Sequence, residues 1–383
     1  MSLQRLDVYQ LRNIKEARLS NFTRVNIIAG TNGAGKTSLL EAIYLLGMGR
    51  SFRGARIAPL IASYADALTV YGELIEPGHY SEVHGVGLTK TRSGQQHIHL
   101  DKKEVSTLSE LVRALPVQLI NADTFLLIEG GPMVRRQFLD WGVFHVKHGF
   151  VDAWRRAQKC LKQRNMALKQ FQKKLVHDRA RIHIWDKELS DAAKIIDTSR
   201  AEYIKELIPL FFGVLGRMSV DMPDLSFQYK RGWRDGDDLS TVLLEAASTE
   251  RDFRYATSTI GPHRANLEIM VGKQLAADVL SRGQKKIVVS AMKLAQGQYF
   301  MENTGRQCVF LVDDLPAELD RTHRNAFCAL LDEMKCQIFM TTVDEKHLEY
   351  RWINPAETSL FHVEQGHVNI NRARANFIKK VVL

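Results

Sequence analysis

Read for the spacing of apolar positions, the chain switches between two periods. RVNIIAG (residues 24–30) is a short apolar run ending at a glycine, and KTSLLEAIYLLG (36–47) continues with helical spacing. Together they predict strand, loop and helix, with Gly47 as the helix stop. ALTVYGELI (67–75), EVHGVGLTK (82–90) and QHIHL (96–100), separated by Gly, Pro and Ser signals, predict short strands forming an antiparallel patch on the sheet of that first strand. VQLIN (117–121) and VFLV (309–312) read as buried strands, and SLFHVEQGHVNI (359–370) as a closing hairpin turned at Gly366.

From about residue 150 the texture becomes helical. Trp154, Leu161, Leu168 and Leu175 recur at sevens beside Ala157 and Phe171, and Leu189, Ile196 and Tyr203 repeat the spacing further on. This predicts two antiparallel helices, a short arm whose stripes are core. The other faces of the first helix carry Arg155, Arg156, Lys159, Lys162, Arg164, Lys169, Lys173 and Lys174, with Asp152 and Asp178 as the nearby acids.

Composition narrows the class. The chain has 383 residues, 45% of them hydrophobic and 25% charged, enough for a large core and more than one packed unit. No run approaches eighteen apolar residues, and the first twenty positions include Arg5, Asp7, Arg12, Lys15, Glu16 and Arg18. Neither a membrane span nor a signal peptide is therefore expected, and a cytoplasmic location is. Cys160, Cys308, Cys328 and Cys336 lack metal-ligand spacing and read as buried apolar residues, without disulfide or zinc. His97 and His99 share a strand face around Ile98, but two histidines alone make a poor metal site. A formal charge of +10 favours a polyanionic partner, nucleic acid or anionic membrane.

The loop between first strand and helix reads G-T-N-G-A-G-K-T. Gly30, Gly33 and Gly35 let the backbone N–H groups, with those of Thr31, Asn32 and Ala34, curl around phosphates, and the helix start adds its positive dipole end. Lys36 is expected to reach the β- and γ-phosphates of ATP, and Thr37 to offer its hydroxyl to Mg²⁺. Far downstream, VFLV ends in Asp313 and Asp314, and the carboxyl end of such a strand lies beside the phosphates in an open α/β sheet. Asp313 is the expected Mg²⁺ partner, and Asp314 the group that orients or deprotonates the attacking water.

LSRGQ (280–284) resembles the signature motif of ABC-type ATPases, and AELD (317–320) their dimer-contact loop. The resemblance implies that Ser281, Arg282, Gly283 and Gln284 meet the γ-phosphate held by a second subunit, so that ATP joins two heads. A serine hydroxyl and free helix N–H groups make an anion site of that kind. LDVYQLRNIKEARL (6–19), LPVQLINADTFLLIEGGPMVRRQFLDWGVFH (115–145) and TIGPHRANL (259–267) resemble the RecF family of bacterial recombination and gap-repair ATPases, over nearly the whole chain.

The fold implied is α/β: an ABC-type P-loop ATPase head with a mixed sheet and an antiparallel patch, and an inserted, largely helical second lobe bearing a short antiparallel arm. Residues 1–122 and 262–383 are assigned to the first lobe and 123–261 to the second. The function implied is a DNA-binding clamp that dimerises on ATP, binds gapped or junction DNA and single strands, and with RecO and RecR helps to load RecA; replication restart, the SOS response and a place at the nucleoid come with it. Arg12 and Asn13 resemble adenine-side residues of the family. Beside an ATP clamp, the basic helix (Arg155, Arg156, Lys159, Lys162, Lys169, Lys173) reads as a phosphate-contacting face, with a merely solvated face as the alternative. His263 and Arg264 either touch DNA or form a structural turn. Gln118 or Asn121 is either a polar sensor or part of a plain core strand.

Two departures from transporter ATPases point to slow, timer-like hydrolysis. Asp314 stands where they have Glu, about 1.5 Å shorter, and Thr341 or Thr342 where they have a switch histidine. The rival readings are a transporter's nucleotide-binding subunit, which leaves the basic helix unexplained; a nucleotide kinase or GTPase, without an N-K-x-D motif to support the latter; and a scaffold that binds ATP without hydrolysing it. The basic tail NRARANFIKKVVL (371–383) carries no assignment.

Overall fold

The computed structural model describes residues 2–75, 82–175, 180–314, 319–343, 350 and 352–370. Asp178, Ala317, Glu318 and the tail 371–383 lie outside them. The chain divides into two compact units: residues 1–124, 214–219 and 286–383, and residues 125–213 and 220–285.

The first unit contains two six-stranded sheets. One is antiparallel, in the spatial order Ile14–Ser20, Ser2–Leu11, Ala67–Ile75, Val83–Thr91, Gln96–Leu100, Lys103–Val105. It contains the antiparallel patch read from the alternating segments. Its inward positions, such as Leu68, Val70, Val86, Leu88 and Ile98, are buried in one apolar cluster with Leu39, Leu40, Ile43 and Leu46 of the helix Lys36–Met48. His97 faces outward and meets Glu104 at 2.8 Å.

The other sheet runs His367–Ile370, Thr358–Glu364, Val25–Ala29, Ile338–Thr342, Val309–Val312, Val117–Ile120. Five of these strands are parallel and the hairpin strand His367–Ile370 is antiparallel at the edge. Strands covered on both faces need continuous apolar runs, and Val309–Val312 is buried at every position. The parallel order brings the carboxyl ends of Val25–Ala29, Val309–Val312 and Ile338–Thr342 to one edge, the place where open α/β sheets bind ligands.

The helix after the glycine loop stops two residues further on than the sequence predicts. Gly47 lies inside it, and Gly49, at φ +63°, is the C-cap. Gly47 answers to packing: a Cβ there would stand 2.3 Å from Val117 Cγ2 and 2.7 Å from the Leu115 carbonyl oxygen.

The second unit is built on the helices Pro132–Val146, Phe150–Gln172 and Asp186–Met218, with a three-stranded antiparallel sheet, Gln274–Leu275, Asn266–Val271, Leu225–Lys230. Residues 262–285 belong here and not with the first lobe, as the sequence division had them, because Asn266–Val271 pairs along its length with Leu225–Lys230. Phe150–Gln172 and Asp186–Met218 run antiparallel: Arg164 meets Asp186, while Cys160, earlier on its helix, approaches Glu188, later on the other. All four cysteines are buried, and burial pushes the Cys160 thiol up to about 11.

The stripe at sevens holds in its middle and fails at its ends. Leu161, Leu168, Leu189, Ile196 and Tyr203 are buried, but Trp154 is 41% exposed and Leu175, past the end of its helix, is 72% exposed. Arg164 is a further correction. It stands two residues from Lys162, hence about 200° around the helix, and points inward. It is fully buried between Asp186 (2.8 Å), Asp252 (2.5 Å) and the Ser258 hydroxyl (2.9 Å).

Candidate nucleotide-binding site

The loop Gly30–Gly35 has the conformations its glycines were read to allow. Gly33 and Gly35 adopt φ +81° and +119°, and a Cβ on Gly30 would stand 2.3 Å from the Val363 carbonyl oxygen. Asn13 braces the loop from outside: its amide donates to the carbonyls of Gly33 and Ala34, both at 3.2 Å, and its oxygen accepts from the Ser38 hydroxyl at 3.0 Å. The Gly366 N–H donates to the Ala34 carbonyl at 2.8 Å, so the hairpin turn also supports the cradle.

Lys36 folds back into the loop, its ammonium donating to the carbonyls of Gly30 (2.7 Å) and Thr31 (2.9 Å). Burial lowers its pKa below the usual lysine value, against the opposing pull of Asp314 and Asp313. Thr37 Oγ1 stands 3.1 Å from both carboxylate oxygens of Asp313. Thr341 completes the arrangement: its hydroxyl donates to Asp313 at 2.6 Å and accepts from the Asp314 N–H at 2.8 Å. Sequence reasoning met Thr341 only as the replacement of a histidine; its role as a bracket between two carboxylate-bearing residues needs the register of parallel strands. Asp314 has φ +53°, left-handed backbone that a non-glycine residue adopts only when its surroundings impose it.

These residues line one cavity of about 1050 Å³, the size of the larger ligand pockets. Its further wall holds Arg12, Arg53, Pro59, Ile61 and Arg92. Arg12 is bound there bidentately to the buried Glu41, at 2.7 and 2.9 Å, and donates to the Pro59 carbonyl at 3.2 Å. Asn13 is thus at the phosphate loop and Arg12 at the wall beyond it. Nothing in the sequence pattern marked Glu41, Arg53 or Arg92. The donor set is right for a hard cation: a hydroxyl and a carboxylate, the oxygen ligands that Mg²⁺ takes together with phosphate oxygens.

In the second unit, Ser281 and Gln284 form a reciprocal capping box at the start of the helix Arg282–Thr304. The Gln284 N–H donates to the Ser281 hydroxyl (3.3 Å), and the Ser281 N–H to the Gln284 side chain (2.9 Å). Arg282 and Gly283 are exposed, and their N–H groups at the first helical positions have no intrahelical acceptor. Asp320 is the N-cap of Arg321–Glu333, accepting from the His323 N–H at 3.0 Å.

The other sequence candidates fall as follows. Gln118 is 1% exposed and donates to Gln296 at 2.9 Å while accepting from Lys293 at 3.2 Å, which is the plain core-strand reading. Asn121 accepts from the Thr124 hydroxyl at 2.9 Å. Arg155, Arg156, Lys159, Lys162, Lys169 and Lys173 are all exposed. His263 donates from Nε2 to the Ser258 carbonyl at 2.9 Å in a short 3₁₀ turn, with its pKa brought down to about 4 by burial, whereas Arg264 is exposed. His263 is therefore uncharged near neutrality, and its Nε2 bond ties it into the turn.

A glycine loop, a lysine and a hydroxyl–carboxylate pair at the carboxyl edge of a parallel sheet define a P-loop head for nucleoside triphosphates. The family model described as RecF/RecN/SMC N terminal domain matches residues 2–368. The DNA replication and repair protein RecF of Pseudomonas syringae pv. syringae is 45% identical over 370 residues, 96% of this chain and 98% of that one. Its counterpart in Stutzerimonas stutzeri is 46% identical over 368 residues, 96% and 97%. A solved structure of the recombination mediator protein RecF with ATP, in the RecFOR pathway, superposes with TM-score 0.85 at 24% identity, covering 96% of this chain and 97% of that one. The Smc head domain of Pyrococcus furiosus shares the fold at TM-score 0.56 and 16% identity, over 96% and 95%. The chain belongs to the RecF family. With that membership the transporter, kinase and GTPase readings lose their ground. Among the described residues no helix is long and apolar enough to cross a membrane.

Proposed function

We propose that this chain is an ATP-switched DNA clamp of recombinational gap repair. The observation that carries the reading is the meeting of Thr37 and Asp313 at 3.1 Å in the cavity that also holds Lys36. Lys36 and the loop N–H groups bind the β- and γ-phosphates of ATP, while Thr37 and Asp313 hold Mg²⁺. Bound Mg²⁺ neutralises charge on the phosphates during transfer. Asp314 orients or deprotonates the attacking water, its backbone fixed by the bond to Thr341. Segment 281–284 of a second copy offers a hydroxyl and exposed helix N–H groups to the γ-phosphate, which makes ATP the bridge between two heads. Hydrolysis opens the bridge slowly, because Asp314 is about 1.5 Å shorter than a glutamate.

The helix Phe150–Gln172 supports DNA as the partner. Arg155, Lys159, Lys162, Lys169 and Lys173 fall within about 40° of one another's mean direction, opposite the buried Ala153, Ala157, Cys160 and Leu168. The stripe is about 27 Å long, the rise of about eight base pairs. Among these residues Arg155 has an acid close by, Asp152 at 3.7 Å. Such a face supports sequence-independent phosphate binding. The relatives' name supports a role in DNA repair, and the pathway named for the solved RecF structure supports RecO and RecR as co-workers; loading of RecA at cytoplasmic DNA is what the family resemblance adds to the reading.

The deciding experiment measures affinity for gapped duplex at fixed salt with ATP, ADP or no nucleotide, while light scattering reports mass. Tight binding by a dimer in ATP alone is expected; affinity indifferent to nucleotide would overturn the clamp and favour an ATP-binding scaffold.

A further inference from the structure

The second unit contains a separate cavity of about 210 Å³, set among the helices Pro132–Val146, Phe150–Gln172 and Asp186–Met218 and the turn Pro262–Arg264. Its lining includes Arg136, Gln137, Asp140, Trp154, Gln158 and Arg200. One ion pair forms a fixed part of the wall. Arg200, 2% exposed, holds Asp140 bidentately at 2.8 and 3.0 Å and donates to the Pro262 carbonyl at 2.8 Å. Both oxygens of Asp140 are thereby engaged, and the pair contributes no net charge to the cavity.

Arg136, one turn before Asp140 on the same helix, has no such partner. Its Nη1 donates to the Ala265 carbonyl at 2.7 Å, whereas Nε and Nη2 bond none of the described residues and stay open to solvent. Those two nitrogens form the side-on edge of the guanidinium, the edge with which Arg200 grips Asp140 and Arg12 grips Glu41. Burial first, then the charges of Arg200, Arg264 and Arg135, lower the pKa of Arg136, with Asp140 opposing. Arg264 is exposed and reaches the Ser258 carbonyl at 3.4 Å, without a carboxylate partner among the described residues. Two guanidiniums thus stand within electrostatic reach of each other unbalanced, a cost that a bound anion relieves. Gln137 and Gln158, both exposed, and the indole N–H of the partly exposed Trp154 add neutral donors at the same cavity.

We propose that this cavity is a phosphate subsite that receives the terminal phosphate of a DNA strand, gripped side-on by Arg136 Nε and Nη2. A terminal phosphate carries a charge of about −1.5 to −2 at neutral pH, more than an internal phosphodiester, and so matches two unbalanced guanidiniums. Gln158 and Trp154 lie about 60° and 100° around their helix from Arg155, where the basic stripe begins, so the cavity adjoins the stripe. A strand laid along the stripe can end there, and a gap in a duplex exposes such ends. Walls from three helices also admit a chain end more readily than a phosphodiester, which has to enter and leave. For the source of the phosphate the inference rests on the DNA reading above; inorganic phosphate and mononucleotides offer the same chemistry.

The test measures, by fluorescence anisotropy at fixed salt, affinity for gapped duplexes that differ only in carrying a phosphate or a hydroxyl at the strand ends bordering the gap, one end at a time. The full chain is compared with its variants Arg136→Gln and Gln158→Glu. A charge-assisted bidentate contact makes the expected preference for one phosphorylated end about tenfold or more. Arg136→Gln should lose it while keeping its affinity for the hydroxyl-ended duplex, which also shows it folded. Gln158→Glu changes an exposed side chain, sets a carboxylate beside the cavity and should lose the preference too, so the test stands even if Arg136→Gln fails to fold. A wild type indifferent to phosphate at both ends, or variants that keep the preference, overturns the proposal. A second arm titrates inorganic phosphate against tryptophan fluorescence, with ADP and Mg²⁺ filling the nucleotide site and Trp154→Phe identifying the Trp154 signal. If no DNA binds, the DNA reading fails; a Trp154 response that Arg136→Gln abolishes would then assign the cavity to free phosphate compounds, and no response would remove it as an anion site.

Discussion

Thr37 and Asp313 stand 276 positions apart in sequence and meet at 3.1 Å through both carboxylate oxygens. The contact joins the first turn of the cradle helix to the end of a strand two places away in the same parallel sheet. If the pair holds Mg²⁺, Thr37→Ala and Asp313→Asn should each lower ATP turnover by about 10²-fold or more, and Asp313→Asn should remove most of the difference in ATP affinity measured with Mg²⁺ and with a chelator. Unchanged turnover in both would move the metal elsewhere.

Asp314 is expected to act on water and not on nucleotide binding. Asp314→Asn should bind ATP within a few-fold of the wild type while single-turnover hydrolysis falls by about 10²-fold or more, leaving the ATP-joined dimer long-lived in light scattering. Turnover of the wild-type protein is itself a test, since hundreds of events per second without DNA would rule out a timer.

Exposed and buried basic residues on one helix should separate cleanly. Replacing Lys159, Lys162 and Lys169 together by Ala should reduce the slope of log affinity against log salt for duplex DNA by up to about 3, at little cost in stability. Arg164→Ala should instead cost about 3–5 kcal/mol in denaturant unfolding, because Asp186 and Asp252 are left buried without their cation. Equal effects of the two changes on the salt slope would contradict the placement of Arg164.

His263 gives stability a pH dependence of known sign. Its folded pKa, about 4, lies below the unfolded value of about 6.5. The unfolded chain therefore binds more protons between these values, and stability should fall as pH drops from about 6.5 to about 4, by up to about 3 kcal/mol. His263→Gln should flatten that part of the profile, measured by urea midpoints across the window.

Gly47 and Gly49 differ in kind. Gly47→Ala forces a methyl against Val117 and the Leu115 carbonyl, and should lower stability by about 1–3 kcal/mol through overpacking. Gly49→Ala adds backbone strain at φ +63° to a clash with Leu108. Wild-type thermal midpoints in both variants would refute the packing account of Gly47.

Local chemistry was legible in the sequence wherever it depends on neighbours along the chain. The glycine loop, Lys36 and Thr37, the buried strand ending in Asp313 and the hairpin at Gly366 are all set by residues within a few positions of one another, because turn conformation and burial period are local properties. The family could be read for the same reason, from short motifs kept in order. Only the tertiary structure decided which distant groups meet. Thr341 brackets Asp313 and Asp314 because parallel register puts one strand end beside the next; Arg12 is held by Glu41, and Asn13 braces the phosphate loop, because the turn between the strands Ser2–Leu11 and Ile14–Ser20 reaches the cradle. Arg164 reads as one more basic residue in a list of eight, yet helical phase and two carboxylates from other segments bury it. Residue type states what a side chain can do; packing across many intervening residues decides which partner it does it with.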